Sequence, residues 1–329
     1  MASNSSMVNI VADIGGTNLR IGMLDGTGSV KNLHLYQCAE FSGLQTVLED
    51  YFVQHQIDSS QVNACLAIAC PVDKDLISMT NLPWEFKQSE LKANLNLRSL
   101  YMINDYTAIA MSINSLDDSQ KVKIGGGQAV AHKPIAICGP GTGLGVANLF
   151  EYQGQWISVG GEGGHVDFAP TDDTEVAILK FLNNKYPRVS AEQLLSGLGI
   201  EQIYQALCDL NQIPAKPYQA KDISAKGVAQ QCDICHQAMQ QFCKTLGSFA
   251  GNLALTTGAF GGVYIAGGIA PRFLEFLAKS DFRKRFEAKG RFEGFNQAIP
   301  TYVITEPQPG ILGASAFLTQ QINNEVVCL

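Results

Sequence analysis

Short apolar runs alternate along this chain with stretches of helical period, and the junctions between them are rich in glycine. Residues 8–12 read as a buried strand and residues 19–24 as a second; further strands are expected at 62–69, 100–103, 134–138, 261–265 and 301–304. Helical spacing covers 44–55, 89–97 with Ser89 as N-cap, the run after Asp105, 174–186, and 194–210 with a break at Gly197 and Gly199. It returns over 224–257, with small residues on one face, over 273–278, and in the final ILGASAFLTQQI. Residues 190–193 fit a capping box with Glu192 in the first turn, and residues 282–290 read as charged and solvated. Strands alternating with helices predict an α/β protein, and a change of composition over 114–127 marks a domain boundary.

Three junctions carry candidate chemistry. DIGGTN (Asp13, Ile14, Gly15, Gly16, Thr17, Asn18) joins the first two strands. Its adjacent glycines let backbone N–H groups approach an anion, and Asp13 can hold a divalent cation directly or through water; the same residues also make an ordinary hairpin turn. GPGTGLG, with Gly141, Thr142 and Gly143, is a second phosphate-cradling loop or a tight hairpin. It is not the dinucleotide fingerprint, because Leu144 and Val146 stand where the third glycine is needed, and without a GK[ST] sequence a P-loop is excluded. Gly267 and Gly268 sit at a strand-to-helix turn where an adenine or ribose could lie against the backbone, or where the chain simply turns.

Other positions extend the list. Asn104 and Asp105 follow an expected strand, where ligands gather in α/β sheets; Asp105 is a candidate general base for a hydroxyl, and either residue could instead cap the next helix. GGEGGHVD sets Glu162 and His165 among glycines, as hydrogen-bonding groups for a ligand or as loop acid and structural histidine. Asn81 and Trp84 read as a ring contact or as a loop amide and a core indole. CDICH at 232–236 lies in a helical period without a second CxxC, so its cysteines read as small packing residues rather than a haem or zinc site.

Composition narrows the class. A chain of 329 residues, 46% hydrophobic and 16% charged, holds apolar material for about two domains. A net charge of -7 without blocks of like charge argues against nucleic acid or a membrane surface as partner. No apolar run is long enough to span a bilayer, and nine irregularly spaced cysteines suit a reducing compartment, so a cytoplasmic location is expected. No low-complexity tract or short tandem repeat is visible.

Taken in order, VADIGGTN, IACPV, MTN, IND, GTGLGV, GEGGHVDFAP, SAEQLLSG and AGGIAPRFLEF resemble the motif series of bacterial-type glucokinases, of the actin-like sugar-kinase superfamily, over residues 10–318. The resemblance implies a two-domain actin-like (ribonuclease H-like) ATPase fold with a cleft between domains. Residues 1–115 would form the small domain, 116–308 the large one, and 309–329 a helix returning to the first. It implies ATP-dependent phosphorylation of glucose at its 6-hydroxyl, with closure on the sugar. Asp105 matches the family's catalytic base; Asn104, Glu162, His165, Glu192 and, more weakly, Asn81 match its hexose shell. The phosphate loops match 13–18 and 141–145, adenosine packs near Gly267 and Gly268, and Asp13 would position Mg²⁺, through water. A homodimer is implied. The related repressor and kinase family carries a CxCGxxGC zinc cluster after its histidine motif; here VDFAPTDDTEVAIL follows without cysteine, so no zinc is expected, and only twelve residues precede Asp13, too few for a DNA-binding helix-turn-helix. The rival functions are a kinase for another hexose and a catalytically silent sugar sensor.

Overall fold

The computed structural model describes residues 7–79 and 82–327, the side chains of 325–327 excepted. The chain divides into two compact units, residues 1–116 with 306–329, and residues 117–305. The first unit begins with β1 (Val8–Ile14), β2 (Asn18–Leu24), β3 (Val30–Gln37), α1 (Leu44–Gln54) and β4 (Val62–Ile68). A small hairpin, β5 (Leu76–Ser78) and β6 (Glu85–Lys87), leads through α2 (Gln88–Asn94) to β7 (Ser99–Asn104) and α3 (Asp105–Ser112). Its sheet runs β3-β2-β1-β4-β7, with β1 to β3 an antiparallel meander and β1, β4 and β7 parallel.

Every residue of β4 is buried, as a strand in the middle of a sheet covered on both faces requires. The two-residue period then sorts β1: Ile10, Ala12 and Ile14 pack with Leu44, Val47 and Leu48 of α1, while Val11 joins Cys65, Ala67 and Ala108. This second face is completed by Ile311, Ala314 and Leu318 of the C-terminal helix, Pro309–Val327. That helix crosses α3 so closely that a Cβ at Gly313 would fall 1.6 Å from the Ala108 carbonyl oxygen.

The second unit contains β8 (Lys121–Ile124), β9 (Ile135–Pro140), β10 (Leu144–Tyr152), β11 (Gln155–Gly161), α4 (Asp173–Asn183), α5 (Gly197–Leu210), α6 (Ala220–Val228) and α7 (Asp233–Thr257). It ends with β12 (Gly262–Ile265), α8 (Leu274–Lys279), α9 (Phe282–Glu287), α10 (Glu293–Gln297) and β13 (Thr301–Ile304); the C-terminal helix is α11. The sheet order is β11-β10-β9-β12-β13-β8, again with three antiparallel strands followed by parallel ones, here β9, β12 and β13. Helix α7 carries the centre of this core, with Ala238, Phe242 and Leu246 fully buried.

Two local expectations need correction. Helix α2 begins at Gln88 with Lys87 at the N-cap position, so Ser89 is not the cap. Ser89 instead donates to Asp75, from its N–H at 2.8 Å and from its hydroxyl at 2.7 Å. Residues 282–290 are charged but not simply solvated, because Phe282 and Phe286 are fully buried on one side of α9 while Arg285 turns toward the start of α4. A helix of alternating aromatic and basic residues buries one stripe and pairs the other. Trp84 is a core indole, 3% exposed. CDICH straddles the start of α7, with Cys232 at the N-cap position, Cys235 buried, and the His236 ring Nδ1 3.0 Å from the Gly227 carbonyl oxygen.

Candidate active site

In the first unit, Asp13 lies near the end of β1, and the β1–β2 turn closes when the Gly15 N–H donates to the Asn18 carbonyl at 2.9 Å. The motif is therefore a hairpin turn, with Thr17 exposed at its tip and the Ile14 side chain fully buried, so Ile14 offers a ligand only its backbone. Burial raises the Asp13 carboxyl above its ordinary value, and Arg20, its cross-strand neighbour, opposes the rise. The second residue of α11 presses on the same group: a Cβ at Gly310 would come within 2.8 Å of the Asp13 carboxyl carbon.

Asp105 is the first residue of α3, directly beyond β7. Asn104 takes the capping role, its side-chain oxygen accepting from the Tyr106 N–H at 2.9 Å while its amide donates to the Cys70 carbonyl at 3.3 Å. Asp105 also accepts from Tyr106 N–H, at 2.9 Å. Its carboxyl is pushed up to about 6, chiefly by desolvation; the negative charge of Asp13 adds to the rise, and hydrogen bonds from Tyr106 and Asn104 hold it back. The two acids thus sense each other, as expected of carboxylates brought together by parallel strands.

In the second unit, β9 and β10 form a hairpin whose turn closes with Gly141 N–H donating to the Gly143 carbonyl at 2.8 Å. Residues 190–199 brace that turn from two points. The Leu144 N–H donates to Glu192 Oε2 at 2.8 Å, and the Gly197 N–H to the Gly141 carbonyl at 2.9 Å. The capping box is present, with Ser190 N–H donating to Gln193 Oε1 at 2.7 Å, and it holds the short turn that carries Glu192. Beyond β11, Glu162 precedes a single turn, Gly163–His165, on which both Glu162 and His165 are exposed. His165 Nε2 stands 3.9 Å from Glu192 Oε1, and its carbonyl accepts from Arg188 Nη1 at 2.8 Å.

The same unit holds a cavity of about 430 Å³ lined by Thr142, Ile200, Lys221, Ser224, Gly268 and Arg272. Gly267 does not line it; at φ 81° it packs where a side chain would meet the Pro140 carbonyl oxygen at 2.5 Å. Asn81 falls outside the described residues. Among the described residues, no three His, Cys, Asp or Glu side chains are grouped to hold a metal ion, and no helix is long and apolar enough to cross a membrane.

The family model for glucokinase matches residues 10–321. This chain belongs to the glucokinase family. It is 56% identical to a glucokinase of Colwellia psychrerythraea over 324 residues, which cover 97% of this chain and 98% of that one. The crystal structure of a glucokinase from an Antarctic psychrotroph superposes with a TM-score of 0.88 at 36% identity, covering 95% of this chain and 99% of that one. The glucokinase of Balamuthia mandrillaris, solved in complex with glucose, shares the fold at a TM-score of 0.78 and 20% identity, over 97% of this chain and 95% of that one.

Sequence reading missed part of the cavity wall. Arg272 was within reach, since it stands four residues beyond Gly268 in the quoted AGGIAPRF. Lys221 and Ser224 had no such signal, because they reach the cavity only when α6 folds back beside the glycine turn.

Proposed function

We propose that the chain transfers the γ-phosphoryl group of ATP to the 6-hydroxyl of glucose, with Asp105 as general base and the sugar taken up in a cleft between the two units. The observation that carries this reading is Asp105 itself, a desolvated carboxyl raised to about 6 at the mouth of β7. At neutral pH such a group stays ionised, yet is more basic than an ordinary carboxylate, and a base of that strength contributes about 10²–10⁴ in rate. Glucose presents a ring of hydroxyls, and Asn104, Glu162, His165 and Glu192, with Asn81, would pair them, so that an epimer leaves a polar group unsatisfied. The adenosine would occupy the cavity beside Gly268, and the turns at 13–18 and 141–145 would offer N–H groups to the phosphates.

Mg²⁺, which the family resemblance implies, would be held by the Asp13 carboxylate through water, a hard oxygen donor of the kind this ion takes. When bound it would neutralise charge on the phosphates. We further infer a homodimer, on the family resemblance, a cytoplasmic location, on the cysteine usage, and closure of the two units on the sugar; unchanged small-angle scattering on adding glucose would count against closure.

The test is a coupled assay of the purified protein with MgATP against glucose, mannose, fructose and N-acetylglucosamine, following sugar phosphate and ADP together. Saturable turnover far above the others with glucose is the expected result. Better turnover with another sugar would replace the substrate and keep the mechanism, and glucose binding without turnover would leave a sugar sensor.

A further inference from the structure

Glu192 divides its carboxylate between two tasks. Oε1 is the oxygen on the His165 side, at 3.9 Å, where the hexose shell is proposed, while Oε2 accepts the Leu144 N–H at 2.8 Å. Leu144 is 5% exposed, so without Glu192 its N–H would be left with neither this acceptor nor free access to water. The contact is tight enough to be read from the other side as well: a Cβ on Gly143 would fall 2.5 Å from the same Oε2. The turn at Gly141–Gly143 and the acid therefore share one short space. Glu192 is itself held, because its turn is fixed by the Ser190–Gln193 capping box, and the Gln202 amide donates to the Gln193 carbonyl at 2.8 Å.

We propose that Glu192 is a positioning residue for the phosphate loop as well as a hexose ligand, so that one carboxylate couples the nucleotide and sugar sites. The proposal rests on the hexose reading of Glu192 given above. A sugar hydroxyl donating to Oε1 orients the carboxylate and fixes the loop before ATP arrives, and by linkage a nucleotide that orders the loop tightens the sugar site by the same factor.

The test measures binding of glucose and of the non-hydrolysable analogue adenylyl imidodiphosphate with Mg²⁺, each alone, by calorimetry on the full chain. Glu192→Ala is expected to weaken the analogue about 10-fold in the absence of glucose, the size of a lost hydrogen bond to a charged acceptor. Glu192→Gln, which keeps an acceptor oxygen for Leu144, should restore that affinity. Gly143→Ala, a change in the loop, should displace the Glu192 carboxylate and weaken glucose about 10-fold with no nucleotide present. Unchanged analogue affinity in Glu192→Ala with glucose affinity lost would overturn the positioning role and leave the hexose reading standing. Loss of analogue affinity alone would keep the positioning role and remove Glu192 from the hexose shell, and with it the coupling. If Glu192→Ala does not fold, the glucose titration of Gly143→Ala decides: unchanged affinity refutes the coupling.

Discussion

Asp105 in the first unit and Glu175 in the second are both shielded carboxylates in the first turn of a helix, and they are opposites in every other respect. Glu175 is 1% exposed and fully provided for: Oε2 accepts from the Thr171 N–H at 2.7 Å and Arg285 Nη2 at 2.8 Å, and Oε1 from Gln241 at 2.9 Å and Thr245 at 3.2 Å. Among the described residues, none of the groups that shift Asp105 is a cation, and the one charged group that does is another acid, Asp13. A buried carboxylate whose charge is neutralised holds a fold together; one left uncompensated stores basicity for a reaction. The contrast sets the structural acid apart from the one proposed as the base.

The sharpest way to break that contrast is Asp105→Asn. Turnover should fall by about 10²–10⁴ while glucose still binds, and near-normal turnover in the coupled assay would remove Asp105 from the role of base. The parent enzyme's kcat/KM should decline as pH drops through about 6, where the base takes up its proton. The stability sign runs the other way. Because the folded carboxyl titrates above its unfolded value, the native state holds the proton more tightly, and its stability decreases as pH rises from the ordinary carboxylate range through about 6. Asp105→Asn should therefore melt higher than the parent at neutral pH, which a thermal scan of both proteins reads directly.

Arg285→Met is the matching test on Glu175. It leaves a buried charge without its cation and should cost about 3–5 kcal/mol in a denaturant titration; a cost near zero would mean that the pair is not what satisfies Glu175. A smaller effect is expected from Gly310→Ala, whose added Cβ pushes the Asp13 carboxyl aside and should lower kcat/KM for ATP about 10-fold. Lys221→Ala, at the exposed rim of the cavity, should raise the KM for ATP by only about two- to fivefold, since a solvated charge contributes little.

The two units also show how one strand plan serves different ends. Each contains an antiparallel meander followed by two parallel strands, with a glycine turn between its first two meander strands; the second unit adds β8 as an antiparallel edge strand on β13. In the first unit, residues 38–61 link the meander to the next parallel strand with a single α-helix, α1; in the second, residues 162–261 do so with α4 to α7. Glu162, His165, Glu192 and the cavity residues Lys221 and Ser224 all lie in that longer connection.

Much of this was legible in the chain. Strands and helices fell near their apolar runs because burial on both faces demands uninterrupted apolar residues, as in β4, and the glycine turns declared themselves because few other residues turn so tightly. The motif series also sufficed to place the chain among glucokinases. Only the tertiary structure decided which shielded acid is paired, since Arg285 is more than a hundred residues from Glu175 and the stretch around it reads as a solvated surface. It alone placed Gly310 against Asp13 and set Glu192 on the Leu144 amide. Local pattern reports what each residue needs, namely burial, a turn or a hydrogen bond; which distant partner meets that need is decided by packing, which no local pattern encodes.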